Sequence, residues 1–238
     1  MVNGWDDYTT ECRFINRPPA EQPVISKHQM YNPYMAHQMT QSEVTAVAAL
    51  FVRSDSVYKT MPGVDCYDAE RNALTWPGGC PVVAHPPCRT WGTLKAWVKS
   101  APPGEHELAT WAIEQVRRWG GVLEHPRGSS LFGECGCGGF DDESGGWLLD
   151  VDQFHWGHKA RKATRLYIVG TRDIPPIPKR EGQPTHNLSK LSRSKENRQN
   201  KGPHLPELSG KAREASPPEF AKWLVEIARR CVRPERAP

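Results

Sequence analysis

The sequence predicts an α/β domain, an open sheet of short buried strands with helices packed on it. Three observations lead there. Short apolar runs bounded by Gly and Pro alternate with a long amphipathic segment, the strand–helix–strand order of a sheet domain. A length of 238 residues supports one core that needs no disulfide to hold it. The 20 Gly and 22 Pro make up roughly 18% of the chain against a usual ~12%, so loops are plentiful.

Residues 1–39 show no sustained periodicity and read as an irregular arm. Thr40-Gln41-Ser42-Glu43 has the form of a capping box, and Val44, Val47, Ala48 and Phe51 follow at helical spacing. The expected helix runs into Leu50-Phe51-Val52-Arg53, which reads equally well as a strand. Pro81-Val82-Val83-Ala84, between Gly78-Gly79 and Pro86-Pro87, predicts a short buried strand. Leu108, Trp111, Ala112, Gln115, Val116 and Trp119 fall at helical spacing after Pro102-Pro103-Gly104. Glu105 and Glu107 in the first turn, and Arg117 and Arg118 in the last, complement the dipole of that helix, and Gly120-Gly121 ends it. Val122-Leu123, Trp147–Phe154 and Arg165–Val169 read as further strands. Ser216-Pro217-Pro218-Glu219, a second capping box, opens a final helix with Phe220, Trp223, Leu224, Ile227 and Cys231 on one face. The predicted organisation is an arm at 1–39, an α/β core at 40–178, a basic polar segment at 179–215 and a closing helix at 216–238.

Charge sharpens this division. The net charge is +4, but Lys179–Ser216 alone carries nine Lys/Arg against four Glu. The rest of the chain is therefore close to neutral. Such a segment fits phosphate contact and equally fits a solvated linker. No apolar run approaches the ~18 residues of a membrane helix, and the polar start has no signal-peptide core. The expectation is a cytoplasmic protein with no membrane partner, its seven cysteines reduced.

Two predicted strands end alike, in Ala84-His85-Pro86-Pro87-Cys88 and Leu123-Glu124-His125-Pro126. Ligands of open α/β sheets bind beyond the carboxyl ends of strands. Neighbouring strands would thus turn a thiol and a carboxylate to one crevice, with proline stiffening both turns. Cys88 beside Arg89 and His85 can serve as a nucleophile if that positive charge favours its thiolate. Glu124 can serve as a general acid if burial raises its pKa. Either residue alone reads better as a packed thiol or a solvated strand-end carboxylate, and only the two together at matching strand ends bring the readings level.

The chain resembles the cytosine-C5 DNA methyltransferases, in particular short forms from phages and prophages. Pro86-Pro87-Cys88 is similar to that family's nucleophile loop, and Glu124-His125-Pro126 to its Glu-Asn-Val or Glu-Asn-Pro motif. The block Trp156–Gly170, with Arg161 and Arg165, resembles its Gly-x-Pro-Gln-x-Arg-x-Arg motif and following strand, and Ser216-Pro217-Pro218 its closing motif. The resemblance implies an open Rossmann-like, methyltransferase-like sheet, truncated in its N-terminal cofactor-binding half. It implies that Cys88 adds to cytosine C6, that Glu124 protonates N3 and that Arg165 orients the base, which is flipped out of double-stranded DNA. It implies S-adenosylmethionine as methyl donor, with Asp65, Asp68 or Glu70 gripping the ribose. Substrate contacts are expected from His85, Pro87, Arg89, Trp91, His125 and Arg161. Phosphate contacts are expected from Lys190, Arg193, Lys195, Arg198 and Lys201.

Three departures are plain. Leu50–Ser56 has no glycine where the family carries its Gly-rich donor loop, His125 replaces Asn, and Ala163 replaces the first arginine of the pair. A base modification independent of S-adenosylmethionine, or a non-catalytic DNA-binding protein on the same sheet, therefore stays open. Cys135, Cys137, His155 and His158 are four candidate zinc ligands at an uncommon spacing, and no metal is expected. Trp111, Trp119 and Trp223 are expected in the core.

Overall fold

A computed structural model describes residues 46–98, 100–138, 142–188 and 205–232. Six strands form one mixed sheet: β1 (Val47–Leu50), β2 (Val64–Tyr67), β3 (Val82–Ala84), β4 (Gly121–Pro126), β5 (Trp147–Asp152) and β6 (Ala163–Val169). The spatial order is β2-β1-β3-β4-β6-β5. Strands β2, β1, β3 and β4 pair in parallel, and β6 runs antiparallel to both β4 and β5. From β1 the chain winds outward to β2 and then returns to β3 on the other side. That reversal leaves a switch point between the carboxyl ends of β1 and β3, the place where open sheets hold ligands.

The central strands are apolar throughout because both faces are covered. Val47–Leu50 and Val82–Ala84 are wholly buried. Helix α1 (Glu105–Trp119) covers one face with Ala109, Ala112, Ile113 and Val116. A one-turn helix, α2 (Leu131–Glu134), adds Leu131 and Phe132 to that layer. The opposite face is closed by α4 (Pro218–Arg230), which follows the short α3 (Gly210–Glu214). Phe220, Trp223 and Trp156 form an aromatic cluster there, with centroids 4.7–6.0 Å apart. Gly121 starts β4 at φ 126°, where a Cβ would lie 2.1 Å from the Val82 carbonyl oxygen. Only glycine lets β3 and β4 pair so closely.

The expected helix over 40–51 does not form across its second half, where Val47–Leu50 is a strand. Thr40–Glu43 lies outside the described residues. The apolar spacing there suited a helix, but four consecutive buried residues suit a strand covered on both faces. The expected strand Trp147–Phe154 stops at Asp152, whose carboxylate caps a 3-10 turn over Gln153–Trp156 by accepting from the Phe154 amide. The second capping box does not assemble: Pro217 occupies the cap position of α4, without a side-chain hydrogen bond, and Pro218 opens the helix.

Candidate functional site

The carboxyl ends of β3 and β4 lie side by side, because Ala84 pairs with Leu123. His85, just past β3, and Glu124, within β4, both stand on the α4 side of the sheet, and the His85 Nδ1 stands 3.1 Å from Glu124 Oε2. The other ring nitrogen, Nε2, lies 2.9 Å from the hydroxyl of Tyr58. Tyr58 comes from a 3-10 turn, Val57–Thr60, after β1, and is only 2% exposed. On its far side, Glu124 Oε1 accepts from Gln153 Nε2 at 3.1 Å. The same nitrogen donates to Thr164 Oγ1 at 3.0 Å, and the Thr164 hydroxyl donates to the Lys162 carbonyl at 3.1 Å. A polar chain thus runs from Tyr58 through His85, Glu124 and Gln153 to Thr164, tying five segments together under the crevice.

This arrangement sets the charge of Glu124. Burial pushes the carboxyl up, but the hydrogen bond from His85 and the nearby charge of Lys162 outweigh it and hold it at about 2. Glu124 is a carboxylate at neutral pH, contrary to the expectation that burial would make it an acid. Cys88 sits on the loop beyond β3, exposed at the crevice. Desolvation and the Glu124 carboxylate raise its thiol, and Lys162 opposes them. The positive charge expected from Arg89 is committed elsewhere, in an ion pair with Glu105 at 2.8 Å. Burial raises the Tyr58 phenol far above its ordinary value, with Glu124 adding to the effect.

Several predicted residues lie off this crevice. Arg165 pairs in register with His125, one residue out of phase with Glu124, and so points to the other face of the sheet. There it grips Asp150 with two bonds of 2.6 and 2.8 Å. His125 faces the α1 side, buried, with Nδ1 at 2.8 Å from Ser129 Oγ; burial lowers its pKa against the pull of Glu124. Trp91 is core: it stacks on His106 at 3.8 Å and its Nε1 donates to the His106 carbonyl at 3.1 Å. Arg161 lies over the Phe154 ring at the surface, beside Asp152. Pro87 is half-buried in the Cys88 loop.

Asp65 pairs with Arg71 on β2. Asp68 accepts from Lys59 at 2.5 Å and from the amides of Glu70 and Arg71; the Lys59 bond first, with these amides, brings it to about 2. Lys190, Arg193, Lys195, Arg198 and Lys201 lie outside the described residues. Among the described residues no three His, Cys, Asp or Glu gather as a metal site, so Cys135, Cys137, His155 and His158 do not converge. No described helix is long and apolar enough to cross a membrane.

No protein-family model matches this chain, and no curated protein matches it. What the crevice can do therefore rests on its own side chains. Tyr58, Gln153, Thr164 and Lys162 are the members that motif reasoning missed. Only Lys162 carried a signal, by lying in the block between Arg161 and Arg165.

The residues beyond β1 do not fit a glycine-rich cradle for S-adenosylmethionine. Phe51 takes a left-handed backbone at φ 59°, and its ring meets Trp111 edge-on at 5.9 Å. Arg53 and Asp55 are tied to α3, Arg53 through the Lys211 carbonyl at 3.1 Å and Asp55 through the Lys211 ammonium at 2.8 Å. These residues line an open polar groove of about 500 Å³ with Ser54, Gly210 and Glu214.

Proposed function

We propose that this chain modifies a pyrimidine base in DNA, with Cys88 adding to C6 of the ring so that C5 becomes the nucleophilic carbon. The scaffold in this reading is an open Rossmann-like sheet of the methyltransferase type, reduced in its donor half. One observation carries the reading. Glu124, near the carboxyl end of β4, and Cys88, on the loop after the adjacent parallel β3, lie beside the switch point and close enough for the carboxylate to act on the thiol. A pyrimidine entering there meets a sulfur for C6 and a carboxylate for the N3 edge. Lys162, whose charge acts on both residues, suits the negative charge that develops on the ring. Cytosine in phage or prophage DNA is the substrate implied by the motif resemblance, and a duplex base would have to be flipped to reach this depth. The basic stretch around Lys190–Lys201 supports a double-stranded DNA partner through phosphate contact.

The transferred group is the second element of the reading. Phe51 and the tethered Arg53–Asp55 loop favour transfer from a donor other than S-adenosylmethionine. Mass spectrometry of nucleosides from DNA of cells expressing the wild type and Cys88→Ser tests the reading. A new pyrimidine adduct that disappears in the variant is the expected result, and its mass identifies the donated group. Absence of any adduct, with DNA binding intact in both proteins, would leave a non-catalytic DNA-binding protein. Calorimetric binding of S-adenosylmethionine by the purified protein would overturn the donor assignment.

A further inference from the structure

The contacts on Glu124 say which pyrimidine edge the crevice accepts. The Thr164 hydroxyl donates to the Lys162 carbonyl, so its oxygen can only accept from Gln153. That fixes the Gln153 amide with its nitrogen toward Glu124 Oε1. At the other end, the buried Tyr58 hydroxyl has His85 Nε2 as its partner. A carboxylate only accepts, so the facing His85 Nδ1 carries a hydrogen and donates it to Glu124 Oε2. Both oxygens of Glu124 thus receive donors that further hydrogen bonds, to Thr164 and Tyr58, hold in place. The remaining lone pairs are acceptors, and an acceptor recognises an N–H.

Neutral cytosine presents a bare lone pair at N3 and would meet the carboxylate acceptor to acceptor. Thiolate addition at its C6 would also drive an electron pair onto N3, calling for a proton that Glu124 does not hold. Uracil presents N3–H, a donor matched to the carboxylate. Its electron pair moves instead to O4, where the cationic Lys162 suits it. Resting on the reading of Cys88 as the C6 nucleophile, we propose that the crevice selects deoxyuridine in DNA over deoxycytidine, with N3–H donated to Glu124.

The chemistry has a step that needs no group donor. The Cys88 thiol loses its proton to solvent, and the sulfur pair forms the S–C6 bond. The C5=C6 pair moves through C4 onto O4 as an enolate. In heavy water that pair returns to take a deuteron at C5. Loss of the original C5 proton to solvent restores the enolate, which expels the thiolate and re-forms C5=C6. The net change is C5–H to C5–D, with the enzyme regenerated.

The experiment incubates the full-length protein in heavy water with oligonucleotides carrying one deoxyuridine or one deoxycytidine, and follows deuterium at C5 by mass spectrometry. Deoxyuridine is expected to exchange about tenfold or more faster than deoxycytidine, the selectivity of one matched buried contact. Exchange should disappear in Cys88→Ser. In Glu124→Gln, whose amide can donate to a bare N3, the preference should move toward deoxycytidine. Faster exchange of deoxycytidine by the wild type would overturn the selectivity and leave the nucleophile standing. Exchange of neither base, or undiminished exchange in Cys88→Ser, would overturn the nucleophile as well. Independently of turnover, nitrogen NMR should find His85 with its hydrogen on Nδ1. The opposite tautomer would overturn the selectivity argument.

Discussion

Replacing Glu124 by Gln removes one charge from a site built around it, and the effect should appear in the acid stability of the fold. The carboxyl sits at about 2 in the folded protein, against an ordinary value of ~4.3 in an unfolded chain. A group whose folded pKa is depressed contributes stability that is fully present above the unfolded value and is lost as pH falls through the folded one. The window for Glu124 is therefore from about pH 5 down to about pH 2. The linkage relation gives a loss of about 2 kcal/mol between pH 5 and pH 2.5 from this residue alone. Other carboxylates titrate in the same window, Asp68 among them, so the wild-type curve alone decides nothing. The informative quantity is the wild-type stability minus that of Glu124→Gln, from urea unfolding at pH 7, 5, 3.5 and 2.5. That difference should shrink by about 2 kcal/mol on acidification. Two curves that stay parallel would refute the argument, since Glu124 would then have no special hold on its negative charge in the folded state.

Three further outcomes follow from the packing. Gly121→Ala puts a methyl group against the Val82 backbone at φ 126° and should cost more than about 4 kcal/mol; a melting temperature close to that of the wild type would contradict the tight β3–β4 pairing. Trp223→Ala empties the aromatic cluster with Trp156 and Phe220 and frees the Pro175 carbonyl. It should cost about 3–5 kcal/mol by denaturant unfolding. Arg165→Ala breaks a pair with Asp150 whose side chains are 31% and 40% exposed, and should cost no more than about 1 kcal/mol, with the loss shrinking at high salt.

The sheet was legible wherever burial on both faces left continuous apolar runs, as at Pro81–Ala84 and Val122–Leu123, and α1 wherever its periodicity was long. Periodicity failed at Val47–Leu50, because four residues contain too little pattern to separate a strand from a helical turn. That Cys88 and Glu124 come from adjoining strands was legible from two similar strand ends. The face on which each neighbour stands was not. Arg165 and His125 fall on the far side of the sheet from Glu124 because register alternates direction at every residue, and no local motif reports register. Tyr58 and Gln153 were invisible for a different reason. Each is an ordinary core residue by sequence, and its polar atom acquires meaning only from partners distant along the chain.

The segments that resemble a reduced donor half have another job in this fold. Asp68, expected at a cofactor ribose, accepts from Lys59, which adjoins Tyr58 on the same 3-10 turn. That ion pair anchors the turn to the end of β2, and the turn in turn delivers the Tyr58 hydroxyl to His85. Phe51 spends the left-handed position after β1 on a contact with Trp111 of α1, not on backbone amides opened to a phosphate or carboxylate. The β1 and β2 ends thus brace the Tyr58–His85 contact that adjoins Glu124. Loosening that brace should act on the crevice from a distance. Lys59→Met should weaken the hold on Tyr58 and shift the nitrogen NMR signals of the His85 ring, and an unchanged spectrum would refute the brace.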